Sequence, residues 1–500
     1  MEASNTLLLL FLLSLLVVLI ASTGKKYPCG RSNTSVPRTY PVIGCIVSFY
    51  SNRNRLLDWY TELLTESPSG TVVIRRLASR RTVVTANPSN VEYILKTNFD
   101  NYPKGKPFTD ILGDFLGNGI FNVDGNLWLK QRRLATHDFT PKSLRDYVTV
   151  LRNEVDHELL PFLDAAAGAS QPLDLHELLR RFFFNLVCIV FLGIDHRCSL
   201  DPLSPVSVFD RAFQTASAVS AGRGSAPLSF VWKLKRLVGF GSEKELRSAV
   251  GQVHSCVHDI IREKKRMITN HDFLSRLIVA GESDETVRDM VISIVMAGRD
   301  TTSAVTTRLF WFITTGHMKQ TEHDLVSEIR SVKEMTRGGF DYESLKKLSL
   351  LKACLCEVMR LYPPVPWDSK HALSDDRLPD GTEVRAGDRV TYFPYGMGRM
   401  EELWGEDWGE FRPNRWVVVD QTCRVLKKVN PFMFPVFQAG PRVCLGEEMA
   451  YVQMKYVVAS ILDRFVFEPI LTDKPVFVPM LTAHMAGGMQ VRVRRRDPSR

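Results

Sequence analysis

The chain has 500 residues, 45% of them hydrophobic and 24% charged, an ordinary globular balance that leaves room for one large domain or for two to three average ones. Sixty-four basic side chains stand against 55 acidic ones, a net charge of +9. This mild excess suits an acidic partner or an anionic membrane surface, and the chain has no nucleic-acid arm.

In chain order, residues 6–22, "TLLLLFLLSLLVVLIAS", form an uncharged apolar run at the short end of what spans a bilayer. Glu2 precedes the run, and Lys25 and Lys26 follow it. The positive-inside rule then predicts a single-pass anchor over residues 1–24, with the bulk of the chain in the cytosol. A cleaved signal peptide is the rival reading, but its basic leading region is missing. Residues 25–45 hold Pro28, Pro37, Pro41 and Gly44 and read as a stiff linker. From Thr71 to Ala86 the β-rich pattern predicts a hairpin. Helix-period segments dominate from about residue 125 to 365. The stretch 476–496 reads as a second hairpin with Gly487 and Gly488 at its turn. The body, residues 46–500, is therefore mainly α with small sheets. It carries no evident nucleotide-binding motif of its own, so redox chemistry here needs electrons from a partner.

Nine cysteines lie at 29, 45, 188, 198, 256, 354, 356, 423 and 444. Their odd number and irregular spacing argue for a reducing compartment and against a disulfide scaffold. Cys354 and Cys356 lack a second ligand pair at metal spacing, so core packing is expected of them. Cys444 differs. It sits in "FPVFQAGPRVCLGEEMA", where Phe437, Gly440, Arg442, Cys444 and Gly446 give F-x-x-G-x-R-x-C-x-G. Five fixed positions make this motif specific.

The motif resembles the haem-thiolate loop of the cytochrome P-450 monooxygenases. The resemblance implies haem b as cofactor with Cys444 as axial iron ligand. A thiolate at a helix N-terminus is favoured by free N–H groups and the dipole. Once bound, it pushes electron density onto the iron. Gly446 would let backbone approach the flat macrocycle, and Arg442 would pair with a propionate. "AGRDTT", residues 297–302, resembles the family's acid–alcohol motif: Asp300 and Thr301 would relay protons, and the small Ala297 and Gly298 would let their helix pass over the haem. Arg299 receives no role. Trp128 and Arg132, four apart on one helix face, resemble a propionate-binding pair, while Lys130 and Arg133 belong either to a docking face for an acidic electron donor or to a solvated helix face. Glu357, Arg360 and Arg415 match the family's structural glutamate and two arginines. Downstream, "PPVPWDSK" offers Trp367 and Lys370 where many relatives carry a propionate-binding arginine.

These motifs cover the chain from about residue 40 to its end, in family order. They imply electrons from NADPH through a separate NADPH–cytochrome P-450 reductase, and a single-pass position in the endoplasmic reticulum membrane with the catalytic domain in the cytosol. Membrane lipid is then a further partner. Stretches such as "NYPKGKPFTDILGDFLGNGIFNVDG" and "SAVSAGRGSAPLSFVWKLKRLVGFGSEKELR" are similar to the plant microsomal clan that hydroxylates fatty acids near the chain end, and most of all to its jasmonoyl-isoleucine branch. Both substrates pair a carboxylate with an aliphatic end. Lys104 and Lys106, or His484, are candidate holders of that carboxylate, although each also reads as a plain surface residue. Phe108, Phe121, Val295, Val365, Trp367 and Leu481 are candidate pocket walls. Fatty-acid ω-hydroxylation shares every catalytic residue and stays open at this point. So do a hydroperoxide-rearranging haem-thiolate enzyme, which would not need Asp300 and Thr301, and a non-enzymatic haem or lipid binder.

Overall fold

The computed structural model describes residues 37–497, apart from positions 38, 41–42, 77–80, 170, 195–198, 202–203, 227–228, 268–271, 316–317, 337–338, 421–422 and 471–474. The apolar run at 6–22, most of the linker, Cys29 and Cys198 lie outside the described residues. Among the described residues no helix is long and apolar enough to cross a membrane.

The centre of the molecule is a 31-residue helix, Asp284–Thr314. Ser283 caps it by accepting from Thr286 N–H, and Asp284 and Glu285 set negative charge at its positive end. Apolar residues on nearly all sides, among them Val287, Met290, Val291, Leu309 and Phe310, bury it between other helices. Leu175–Val187 packs along one side, and Ser349–Leu361 and Glu447–Arg464 also pack against it. At Gly298 a Cβ would stand 2.6 Å from Val187 Cγ2. Its small size therefore serves the packing of these two helices. That corrects the expectation that Gly298 clears space for the haem.

A second, smaller core lies under a four-stranded sheet. Thr71–Ile74 pairs antiparallel with Thr82–Thr85, the hairpin read from the sequence. Thr82–Thr85 then runs parallel to Arg389–Tyr392, which pairs antiparallel with Asp368–His371. The end of the proline-rich stretch docks on this sheet: Gly44 bridges both Tyr40 and Arg76, and Cys45 N donates to Arg75 O at 2.9 Å.

The C-terminal hairpin differs from the reading above. Phe477–Val478 pairs with His484–Met485, so its turn lies at 479–483. Gly487 and Gly488 instead lead into Gln490–Arg495, which joins Phe465–Pro469 and Leu173–Asp174 in another sheet. Crowding at Asp174 is the reason. Gly488 has φ +68°, and a Cβ there would stand 2.0 Å from Asp174 Oδ2. The same carboxylate caps helix Leu175–Val187 and accepts from Met489 N at 3.1 Å.

Candidate active site around Cys444

Two short turns, Pro435–Phe437 and Gly440–Arg442, shape the cysteine loop ahead of helix Glu447–Arg464. Cys444 N donates to Phe437 O at 2.8 Å and closes the loop. Phe437 packs its ring 5.2 Å from Tyr451 on that helix. Gly440 has φ +66°, and a Cβ there would stand 2.0 Å from Leu95 O, so only glycine fits. Gln438 has φ 64° without being glycine, a strained conformation, and its side-chain oxygen lies against the Tyr392 hydroxyl. Gly446 leaves room beside the thiol: its Cβ would stand 3.4 Å from Phe139 and 3.9 Å from Cys444 Sγ.

The Cys444 thiol keeps accessible surface although protein surrounds it, so its open side looks into the interior. Burial pushes it up to about 11, against a smaller opposing effect from the Gly446 N–H. The helix end alone therefore does not favour the thiolate expected from the sequence; a bound metal cation would.

Cations crowd beside this loop. Arg132, from helix Gly125–Thr136, donates to Val443 O at 2.6 Å. Arg442 stacks 4.7 Å over the Trp128 ring and donates to Asp124 Oδ1 at 2.7 Å and Val123 O at 2.8 Å. Lys370 is 1% exposed, and burial pushes its ammonium down to about 7. It shares Asp368 with Lys104, at 3.4 and 2.6 Å, while Tyr392 donates to the same carboxylate at 2.9 Å. Four basic groups thus face two carboxylates, Asp124 and Asp368, and up to two positive charges are left over once Lys370 is protonated. Asp124, Asp368, Tyr392 and Gln438 were missed in the sequence. The one available signal was the i, i+2 spacing of Asp368 and Lys370, which puts both on one face of a strand.

This arrangement corrects the reading of Lys104. It is neither a surface residue nor free to hold a substrate carboxylate, because Asp368 and the Phe108 ring, 4.3 Å from Nζ, enclose its ammonium. Lys106 is exposed and pairs with Asp110 at 2.8 Å.

On the long helix, Ile294, Ala297, Thr301 and Ala304 recur at three- and four-residue spacing and keep partial exposure, as do Met296, Gly298 and Asp300 between them. Thr301 Oγ1 donates to Ala297 O at 2.7 Å. The Asp300 carboxylate accepts from Arg299 Nε at 2.7 Å and Nη2 at 3.1 Å. Arg299, given no role above, is 1% exposed and also bonds Asp210, which Arg180 holds at 2.7 Å. Asp300 is therefore anchored through a buried ion network. Val295 is 1% exposed inside the main core, which corrects its reading as a pocket wall.

A cytochrome P450 family model matches residues 35–486. The chain belongs to the cytochrome P450 family. It is 52% identical to cytochrome P450 94B1 of Arabidopsis thaliana over 99% of both chains. It is 53% identical to cytochrome P450 94B3 of the same plant, over 98% of this chain and 97% of that one. Cytochrome P450 94A1 of Vicia sativa is 42% identical over 93% and 91%. A crystal structure of the cytochrome P450DA haem domain shares the fold, with a TM-score of 0.77 at 19% identity over 94% of this chain and 99% of that one.

Haem suits the residues present. The enclosed sulfur of Cys444 offers the iron one soft ligand, and the surplus cations match a macrocycle bearing two carboxylates. Arg132, Arg442 and Lys370 would hold those carboxylates, with Trp128 supporting Arg442 from below. The P450 is thus a haem-dependent monooxygenase that draws electrons from NADPH through a reductase.

Behind the loop of this P450, Glu357 and Arg360 are fully buried and joined by bonds of 2.8 and 2.8 Å. Glu357 also accepts from Arg415 Nε at 3.2 Å, Trp416 Nε1 at 2.8 Å and Arg412 N at 2.9 Å. Trp416 packs 4.6 Å from Phe434, which leads into the cysteine loop. Farther out, Lys130 pairs with Glu282 at 2.6 Å and Arg133 is exposed. Phe121 is exposed, and Val365 and Leu481 are half-buried. Trp367 stacks against Phe393. His484 faces His176 with rings 6.4 Å apart, and burial lowers the pKa of both.

Proposed function

We propose that this P450 hydroxylates the terminal end of a carboxylated aliphatic substrate, jasmonoyl-isoleucine at carbon 12, in hormone turnover. The second reading is fatty-acid ω-hydroxylation in lipid or cutin metabolism, which the same residues serve. The balanced reaction is RH + O₂ + NADPH + H⁺ → ROH + H₂O + NADP⁺. Bound haem supplies the oxygen activation. The observation that carries the reading is the part-exposed stripe of the long helix, where the small Ala297 leaves room beside the hydroxyl of Thr301.

Within that reading, the protein's own part is proton handling and exclusion of water. Thr301 gives its hydroxyl proton towards the reacting oxygen and regains one through water from Asp300, which takes its own proton from solvent when it leaves Arg299. Arg299 fixes where the Asp300 carboxylate waits between turnovers. The specific substrate is supported by the sequence similarity of residues 101–125 and 217–247 to the jasmonoyl-isoleucine branch. Residues 1–24 anchor the enzyme in the endoplasmic reticulum membrane, residues 25–45 link anchor to body, and NADPH–cytochrome P-450 reductase is the electron donor.

Turnover in microsomes with a plant reductase tests both levels. Jasmonoyl-isoleucine and a medium-chain fatty acid are offered separately, with and without NADPH. NADPH-dependent hydroxylation of the conjugate, with little on the fatty acid, is expected. The reverse preference would move the enzyme to lipid metabolism. Thr301→Ala should cut product per NADPH at least tenfold and release hydrogen peroxide instead; full coupling in that variant would sink the relay.

A further inference from the structure

The four-stranded sheet has two faces, and the cation cluster beside Cys444 uses only one. Asp368 pairs with Tyr392 and Lys370 with Val390, so these side chains share that face. Alternation puts Arg389 and Thr391 on the opposite face, beside Thr82 and Val84, their register partners. Arg76 extends this second face, two residues beyond Ile74, which pairs with Thr82.

These residues floor a cleft walled by Leu56, Tyr60, Trp367 and Phe393 and closed by Gly224 and Ser225 at the end of helix Val208–Ser225. It encloses about 40 Å³ of water-sized space, room for roughly one carboxylate or two waters. Two guanidinium groups reach it. Arg76 Nη1 is buried with no hydrogen-bond partner, and its guanidinium stands 4.3 Å over the Phe49 ring. Arg389 gives Nε to Ser369 Oγ at 3.0 Å. Neither arginine has an ion pair among the described residues. Burial and the charge of Arg76 both press on the Arg389 cation, against opposing effects of Tyr60 and of Asp368 on the other face of the sheet.

Like charges in an apolar cleft are costly unless an anion neutralises them. Several other buried arginines have one of their own: Arg360 has Glu357, Arg223 has Glu243 and Arg180 has Asp210, whereas Arg308 lies over the Tyr362 ring instead. The cleft has two cations, apolar walls and no acid. Trp367, at its rim, directly precedes Asp368 of the cation cluster. The strand end at Trp367 is thus where the two faces of the sheet meet.

We propose that Arg76 and Arg389 are the specificity-determining site for the carboxylate of an amphipathic acid, whose aliphatic chain leaves along Phe393 and Trp367 towards the Cys444 side. The proposal rests on the reading that the substrate is a carboxylated aliphatic molecule. It replaces Lys104 and Lys106 as holders of that carboxylate.

The test is a spectral titration of the haem-loaded enzyme with jasmonoyl-isoleucine and, separately, its methyl ester. The wild type should bind the acid more tightly than the ester. Arg76→Gln and Arg389→Gln should each weaken acid binding about tenfold or more and bring the acid-to-ester ratio towards one. Lysine at either position keeps the charge and should give an intermediate ratio; if a glutamine variant fails to load haem, the lysine variant carries the test. Wild-type ratios in all four variants would overturn the site while leaving the substrate reading standing. A wild type with equal affinity for acid and ester would remove the substrate reading and the site together. Flotation with vesicles of phosphatidylcholine, with and without phosphatidylserine, separates the other source of anions. Arginine-dependent capture by the anionic vesicles, with an unchanged acid-to-ester ratio, would assign the cleft to lipid headgroups and overturn the proposal.

Discussion

Glu357→Gln is the sharpest test of how the active-site loop is supported. Glu357 is fully buried and its two carboxylate oxygens accept five hydrogen bonds, two of them from Arg360. Glutamine keeps the shape, but it has one acceptor oxygen and an NH₂ group that faces donors. At least two donors lose their acceptor, and the Arg360 guanidinium loses its buried counter-charge. Removing one partner of such a pair costs about 3–5 kcal/mol. Against a total stability of about 5–15 kcal/mol, that is about a fifth or more, and roughly a thousandfold in the folding equilibrium. Because Trp416 is one of the donors and packs on Phe434, the cysteine loop should loosen before the whole domain unfolds. Urea unfolding of the haem-loaded enzyme, followed by tryptophan fluorescence and by the haem absorption band, reads both events. The haem signal should be lost at lower urea than the fluorescence signal, and both earlier than in the wild type. A stability loss below about 1 kcal/mol with coincident transitions would refute the reasoning.

Two further outcomes follow from single residues. Gly440→Ala forces a Cβ to 2.0 Å from Leu95 O at φ +66° and should abolish haem loading, whereas Gly446→Ala meets only Phe139, at 3.4 Å, and should still load; absorption spectra of the two purified variants decide. His176 titrates near 4 in the folded protein against 6.5 in the open chain, because burial disfavours its cation in surroundings that also hold Asp174, His484, Arg180 and Asp300. Its contribution is fully present above pH 6.5 and is lost as pH falls through 4, on the order of 2 kcal/mol between those limits. Urea titrations near pH 7 and pH 5 should show a smaller pH dependence for His176→Asn; identical dependence would count against a buried neutral imidazole.

The sequence by itself determined what depends on neighbours in the chain. The loop motif around Cys444 is local, because turn, glycine and helix start fall within ten residues. The same holds for the hairpin at 71–86 and for the Glu357–Arg360 spacing, which one helical turn brings together. Only the tertiary structure decided which charge meets which. Lys104 reads as a solvated loop lysine until a strand more than 260 residues later places Asp368 against it. Gly298 reads as clearance for a cofactor until Val187 occupies the space. Arg299 and Arg76 look alike in the sequence. One is buried against Asp300 and Asp210, and the other is buried against nothing acidic among the described residues. Burial and partner choice are properties of packing between distant segments, and no periodicity within one segment encodes them.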